Sequence, residues 1–234
     1  MDDVNRLTGQ LDAVLHLLDR QVLDVDGRMV CKVDDVELVD ADGVLVLSGL
    51  LAGAAALVPR FGGRLGDRAL RHWHRLGIEQ DDRTWPYRID LNDVERLGSA
   101  VELRVAGPGV LTRQRPQADG LRHRRLNELL WMRVHGAGGS ELGNVIDVRV
   151  TPYGEAERGA PLVVSGLVVG RGRPGSFLGY DRSPHQGPWV LNRVVRWWHR
   201  DSGLVGIEHV ESIDWDTDTI TLGRGDLVDL TGAG

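Results

Sequence analysis

Two sets of arginines carry the most distinctive chemistry in this sequence. Arg68, Arg71 and Arg75 recur downstream as Arg193, Arg196 and Arg200, and spacings of three and four put each set on one face of a helix. Guanidinium forks hold phosphate or carboxylate through paired N–H groups, so such a face suits an anionic partner: RNA backbone, acidic lipid or an acidic protein surface. Trp197, at the edge of the same segment, joins this candidate contact set. The opposing reading is a solvated face, favoured near a helix C-terminus by the macrodipole and paired with nearby aspartates. Trp73 and Trp198 fall on the other side, with Ala69 and Leu70 in one segment and Leu191, Val194 and Val195 in the other. That apolar stripe assigns them to the core.

The remaining reactive residue types do not converge. His72 and His74 are two apart on the expected helix and point in different directions, a poor geometry for sharing a metal. Cys31 is the sole cysteine, which excludes an intrachain disulfide and a multi-thiolate metal site. The run Asp214 to Asp218 starts like a calcium loop, but Thr219 stands at the sixth position and Gly225 at the twelfth, where glycine and glutamate are needed. It is expected to be a hairpin turn. Asp24 to Gly27 and Asp40 to Gly43 have the same character, their carboxylates capping their own backbone. Ser48 and Ser165 precede glycine without the first glycine of a nucleophile elbow, and are expected to bond locally at a turn. Gly170 to Gly175, GRGRPG, lacks the Lys-Ser/Thr of a phosphate loop. No catalytic residue, cofactor or metal is expected.

The elements that must position these residues occur twice. LVLSGLLAG, Leu45 to Gly53, returns as LVVSGLVVG, Leu162 to Gly170. Upstream, Asp24 to Leu38 lies over Gly136 to Val150, pairing Gly27 with Gly139, Val33 with Val145 and Asp35 with Asp147. Downstream, Arg71 to Arg75 lies over Arg196 to Arg200, and Asp93 to Val105 over His209 to Gly223. Each copy reads as a hairpin, a strand pair around Ser-Gly-Leu, a helix and a closing hairpin. Ala106 to Gly120 is rich in glycine, proline and polar residues, as in a linker.

Composition sets bounds on partners. A net charge of -6 argues against a surface that traps nucleic acid everywhere, leaving only local basic patches. Val44 to Val58 is uncharged but shorter than the roughly 20 residues of a membrane-spanning helix, and its counterpart carries Arg171 and Arg173. A strand followed by a loop is expected there, with no membrane span. The opening MDDVNRLTGQ is polar and acidic, unlike an export signal, and with one cysteine the expected location is cytoplasmic.

LLDRQVLDVDGRMVCKVDDVEL, DVERLGSAVEL and HVESIDWDTDTITL resemble the opening and closing segments of the PRC-barrel family. Cys31 stands where that family has the glycine that Gly143 supplies in the second copy. The resemblance implies a mainly β fold of two tandem small β-barrels, each with an accompanying α-helix: residues 1–106, a linker at 107–120, and residues 121–234. It implies binding and docking rather than catalysis, as in the cytoplasmic part of the photosynthetic reaction-centre H subunit and a domain of a ribosome maturation factor. The expected function is therefore a non-enzymatic scaffold or adaptor acting through protein–protein contacts, with homo-oligomerisation open. The alternative is an RNA- or ribosome-associated protein using the arginine-bearing helices.

Overall fold

The structure is a computed structural model that describes residues 5–57, 59, 85–114, 120–154, 160–170, 202–223 and 228–229. It is mainly β. The chain forms two compact units, residues 1–127 with 150–164 and residues 128–149 with 165–234.

The first copy runs β1 (Leu11–Asp12), α1 (Ala13–His16), β2 (Gln21–Leu23), β3 (Met29–Lys32), β4 (Asp35–Ala41), β5 (Val44–Ala52), α2 (Ala54–Leu57), β6 (Tyr87–Asp90), β7 (Val94–Leu97), β8 (Val101–Leu103) and β9 (Thr112–Arg113). The second runs β10 (Arg122–Arg125), α3 (Leu126–Leu129), β11 (Arg133–His135), β12 (Glu141–Pro152), β13 (Leu162–Gly170), β14 (Ser202–Gly206), β15 (Val210–Asp214), β16 (Thr219–Leu222) and β17 (Val228–Asp229).

The duplication seen in the sequence extends to the pairing. A short parallel contact joins β2 to β8 through Val22 and Val101, and another joins β11 to β16 through Val134 and Ile220. β8 is antiparallel to β7, and β16 to β15. β5 and β6 pair as β13 and β14 do, and β6 and β9 as β14 and β17. Even an unfavourable backbone feature recurs. Asp19 and Trp131 hold left-handed φ values of 63° and 75°, and their N–H groups donate to Val33 and Val145 carbonyls at 2.8 Å each. Non-glycine residues tolerate that conformation only where the surroundings fix it.

Close strand approach explains why Ser-Gly-Leu occurs twice. A Cβ at Gly49 would lie 2.9 Å from the Ile89 carbonyl oxygen of β6, and one at Gly166 would lie 2.9 Å from the Val205 oxygen of β14. Only a residue without a side chain admits the neighbouring backbone.

In the first unit the core includes Val22, Leu38, Leu50, Leu51, Ile89, Leu97 and Val101. In the second it includes Leu129, Met132, Val134, Val145, Leu167, Val168 and Ile220. A register shift between Glu37 and Leu38 breaks the alternation of β4, and Asp35, Val36, Glu37 and Leu38 are all buried. Among the described residues, strand pairing does not close a barrel. The segments expected to be helical, around 68–75 and 191–200, lie outside the described residues. Val44 to Leu57 forms β5 and a four-residue helix, and no described helix is long and apolar enough to cross a membrane.

The stretch 107–120 is tied to the first unit at several points. Gly107 donates its N–H to Asp24 at 3.1 Å, β9 pairs with β6, and Gln114 reaches Glu37. β10, which opens the second copy, pairs antiparallel with β4 of the first: Arg122 faces Asp40, His123 faces Val39 and Arg125 faces Glu37.

Candidate functional site

Arg68, Arg71, Arg75, Arg193, Arg196, Trp197 and Arg200 all lie outside the described residues. The three aspartate turns take the form their sequences imply. Asp24 accepts from the N–H groups of Arg28, Asp26 and Gly107, which hold its carboxyl below the usual range, with the Arg28 bond the largest influence. Asp40 accepts from Gly43, and Asp214 from Asp216 and Thr217 in the β15–β16 hairpin. Cys31 is half-buried, and burial first, then the Asp34 charge, pushes its thiol up to about 11. It is a poor nucleophile at neutral pH.

The serines differ from the expectation. Both lie inside strands rather than at turns, because β5 and β13 run straight through Ser-Gly-Leu. Ser165 donates to the Arg149 carbonyl at 3.4 Å. Ser48 instead donates to the Glu37 carboxylate at 2.7 Å and belongs to a polar cluster.

Glu37 is only 1% exposed and gathers side chains from four other segments. Its Oε2 accepts from Arg88 Nε on β6 at 2.6 Å and from Ser48 on β5. Its Oε1 accepts from Gln114 Nε2 at 2.8 Å, and His123 Nδ1 on β10 lies 3.3 Å away. Arg88 also donates to the Ser48 carbonyl at 2.8 Å and to Asp90 at 3.0 Å. Burial by itself would raise the Glu37 pKa. Hydrogen bonds from Arg88, Gln114 and Ser48 and the Arg88 charge outweigh it and hold the carboxyl below the usual glutamate range. Arg88 responds in kind: burial pulls its pKa down, while bonds to Glu37 and Asp90 more than restore it.

Gly49 makes this arrangement possible. A Cβ there would sit 2.9 Å from Arg88 Nε, so the missing side chain is what lets the guanidinium lie across β5 and reach β4. The charged contacts join residues far apart in the sequence, and periodicity within one strand gives no signal of them. One signal was present: at matched positions of the two copies Glu37 corresponds to Arg149, a charge reversal between strands that otherwise share the pattern Asp-Val-x-Leu/Val.

Chemically, the cluster binds the chain to itself. The carboxylate is ionised, both of its oxygens are engaged, and Ser48 points its proton at Glu37 rather than at a histidine base.

A second feature lies on the same strands. Registered neighbours share a sheet face, and His123, Val39, Val46 and Val163 form one row across β10, β4, β5 and β13. Val44, opposite Ala41, is 43% exposed, and Leu121, two residues before His123, is 47% exposed. Three half-buried valines thus run into two exposed aliphatic residues at one end of the sheet.

No family model matches the chain, and no curated protein matches it.

Proposed function

We propose that this chain is a non-enzymatic binding or scaffold protein that acts through protein–protein contacts, its two repeats being PRC-barrel-like domains in a cytoplasmic protein. The observation that carries this reading is the apolar row of Val39, Val46 and Val163 ending in exposed Val44 and Leu121. An aliphatic face on a sheet favours an apolar protein surface over a polyanion. The Glu37 cluster supports the same reading by default, since its acid, hydroxyl and cation bind one another.

The test is a pull-down with the intact protein and with a Val44→Lys/Leu121→Lys variant, each repeated after nuclease treatment. Retention of a partner through nuclease, with loss in the variant at unchanged thermal midpoint, is the expected result. Loss of all partners on nuclease treatment would favour the RNA reading instead, and capture unaffected by the two lysines would remove this face from consideration.

A further inference from the structure

β4 takes as its neighbour β10, the opening strand of the other repeat. Its own repeat opens with β1, and the two opening strands are close equivalents. Each is followed by a four-residue helix, then by the matched left-handed residue, Asp19 or Trp131. Leu11 of β1 corresponds to His123 of β10, because Asp19 corresponds to Trp131. Two similar strands are therefore candidates for one edge, and backbone hydrogen bonds do not tell them apart.

We infer that the Glu37 cluster is a pairing-specificity device that selects β10 over β1 as the partner of β4. Glu37 presents a buried carboxylate oxygen that receives Gln114, with His123 Nδ1 at 3.3 Å. Leu11 in place of His123 brings no polar atom to that oxygen, and a buried carboxylate oxygen that exchanges a polar neighbour for an apolar one is disfavoured. The matched position in the second repeat is Arg149, whose guanidinium has only donors and offers no acceptor to a histidine ring N–H. The features common to both repeats do not discriminate: Asp35 accepts from the Asn127 N–H at 3.2 Å, but its counterpart Asp147 is also aspartate. Of the polar groups that surround the β4 edge, the Glu37 to His123 contact is present in one repeat and replaced in the other. Two repeats with one sequence pattern need such keys, and β10 also sets Arg122 opposite Asp40 and Arg125 on the Ala55 carbonyl at 3.1 Å, where the segment around β1 carries Gln10 and Ala13.

The device is tested by disulfide trapping in the full chain with Cys31→Ser. Asp40→Cys with Arg122→Cys reports the observed pairing, and Asp40→Cys with Gln10→Cys reports the exchanged one, scored within and between chains. In the Cys31→Ser background the first pair should cross-link and the second should not. Adding Glu37→Arg with His123→Leu should raise the exchanged product at least about tenfold relative to the native one, the ratio expected for one charge-assisted bond. His123→Leu alone keeps Arg88, Ser48 and Gln114 on Glu37, so it should fold and shift the ratio in the same direction. It decides the matter if the double variant does not fold. An unchanged product ratio in His123→Leu would overturn the inference.

Discussion

The two repeats place the same glycine against the same neighbouring strand and then fill the space above it in opposite ways. Over Gly49 lies the Arg88 guanidinium, 2.9 Å from where a Cβ would be. Over Gly166 lies Leu204, its Cδ1 at 3.1 Å. Their registers agree, Arg88 opposite Leu51 and Leu204 opposite Val168. Once an arginine occupies the site its charge must be met, and Glu37 meets it. Where leucine occupies the site no acid is needed, and Arg149 stands in Glu37's place, half-buried. One backbone thus accepts an ionic or an apolar filling. The ionic one is a poor device for stability, since desolvating the pair costs about as much as the attraction returns. What it adds is selectivity, which fits its use at the edge where the second repeat's strand docks.

The comparison breaks most visibly if one charge is removed. Glu37→Ala leaves Arg88 largely buried with Asp90 as its remaining acid, and should cost about 3–5 kcal/mol in chemical denaturation. Arg149→Ala at the matched position should cost no more than about 1 kcal/mol. Giving the first repeat an apolar filling, with Glu37→Leu and Arg88→Leu together, should recover most of that loss, because both charges leave at once. A double variant as unstable as Glu37→Ala would show that the cluster is a net source of stability, and the contrast between repeats would need another explanation.

Next in size are the glycines. Adding one methyl group at either position meets a backbone oxygen at 2.9 Å and should cost about 1–3 kcal/mol by overpacking. Gly49→Ala should exceed Gly166→Ala. At Gly49 the methyl also displaces Arg88 from Glu37, whereas at Gly166 it meets the end of a leucine that can turn aside. Equal thermal shifts for the two variants would mean that Arg88 re-forms its contacts by another route.

These contrasts also show what the sequence made legible. The duplication, the aspartate turns and the closing hairpins follow from local patterns: a turn glycine, alternating apolar residues, a short Asp-rich run. The Ser48 to Glu37 bond was not legible, because the register shift in β4 brings a glutamate inward where alternation alone does not place it. Nor was the docking of β10 on β4, since a repeat in sequence says which segments are alike and not which copy each will pair with. The arginine faces of Arg68, Arg71 and Arg75 and of Arg193, Arg196 and Arg200 remain a sequence-based expectation.

The smallest effect separates a charge-dependent key from a mere packing contact, and it depends on pH. Glu37→Gln removes the charge but, unlike alanine, keeps a carbonyl oxygen that can accept from Arg88 and Ser48, so at neutral pH the variant should be less stable by about 1–2 kcal/mol, the difference between charged and neutral hydrogen bonds. Because the folded-state pKa of Glu37 lies below its ordinary value of 4.5, the wild-type advantage is fully present above that ordinary value. It is lost as the pH falls through the lower folded value, where the native carboxylate takes up its proton. The gap between wild type and Glu37→Gln should therefore be constant from neutral pH down to about the ordinary glutamate pKa and close below it. Denaturation midpoints measured for both proteins across that range read the gap directly. A gap that stays constant into strong acid would assign Glu37 a packing role, and the selectivity attributed to its charge would have to come from the arginines of β10 instead, Arg122 opposite Asp40 and Arg125 on the Ala55 carbonyl.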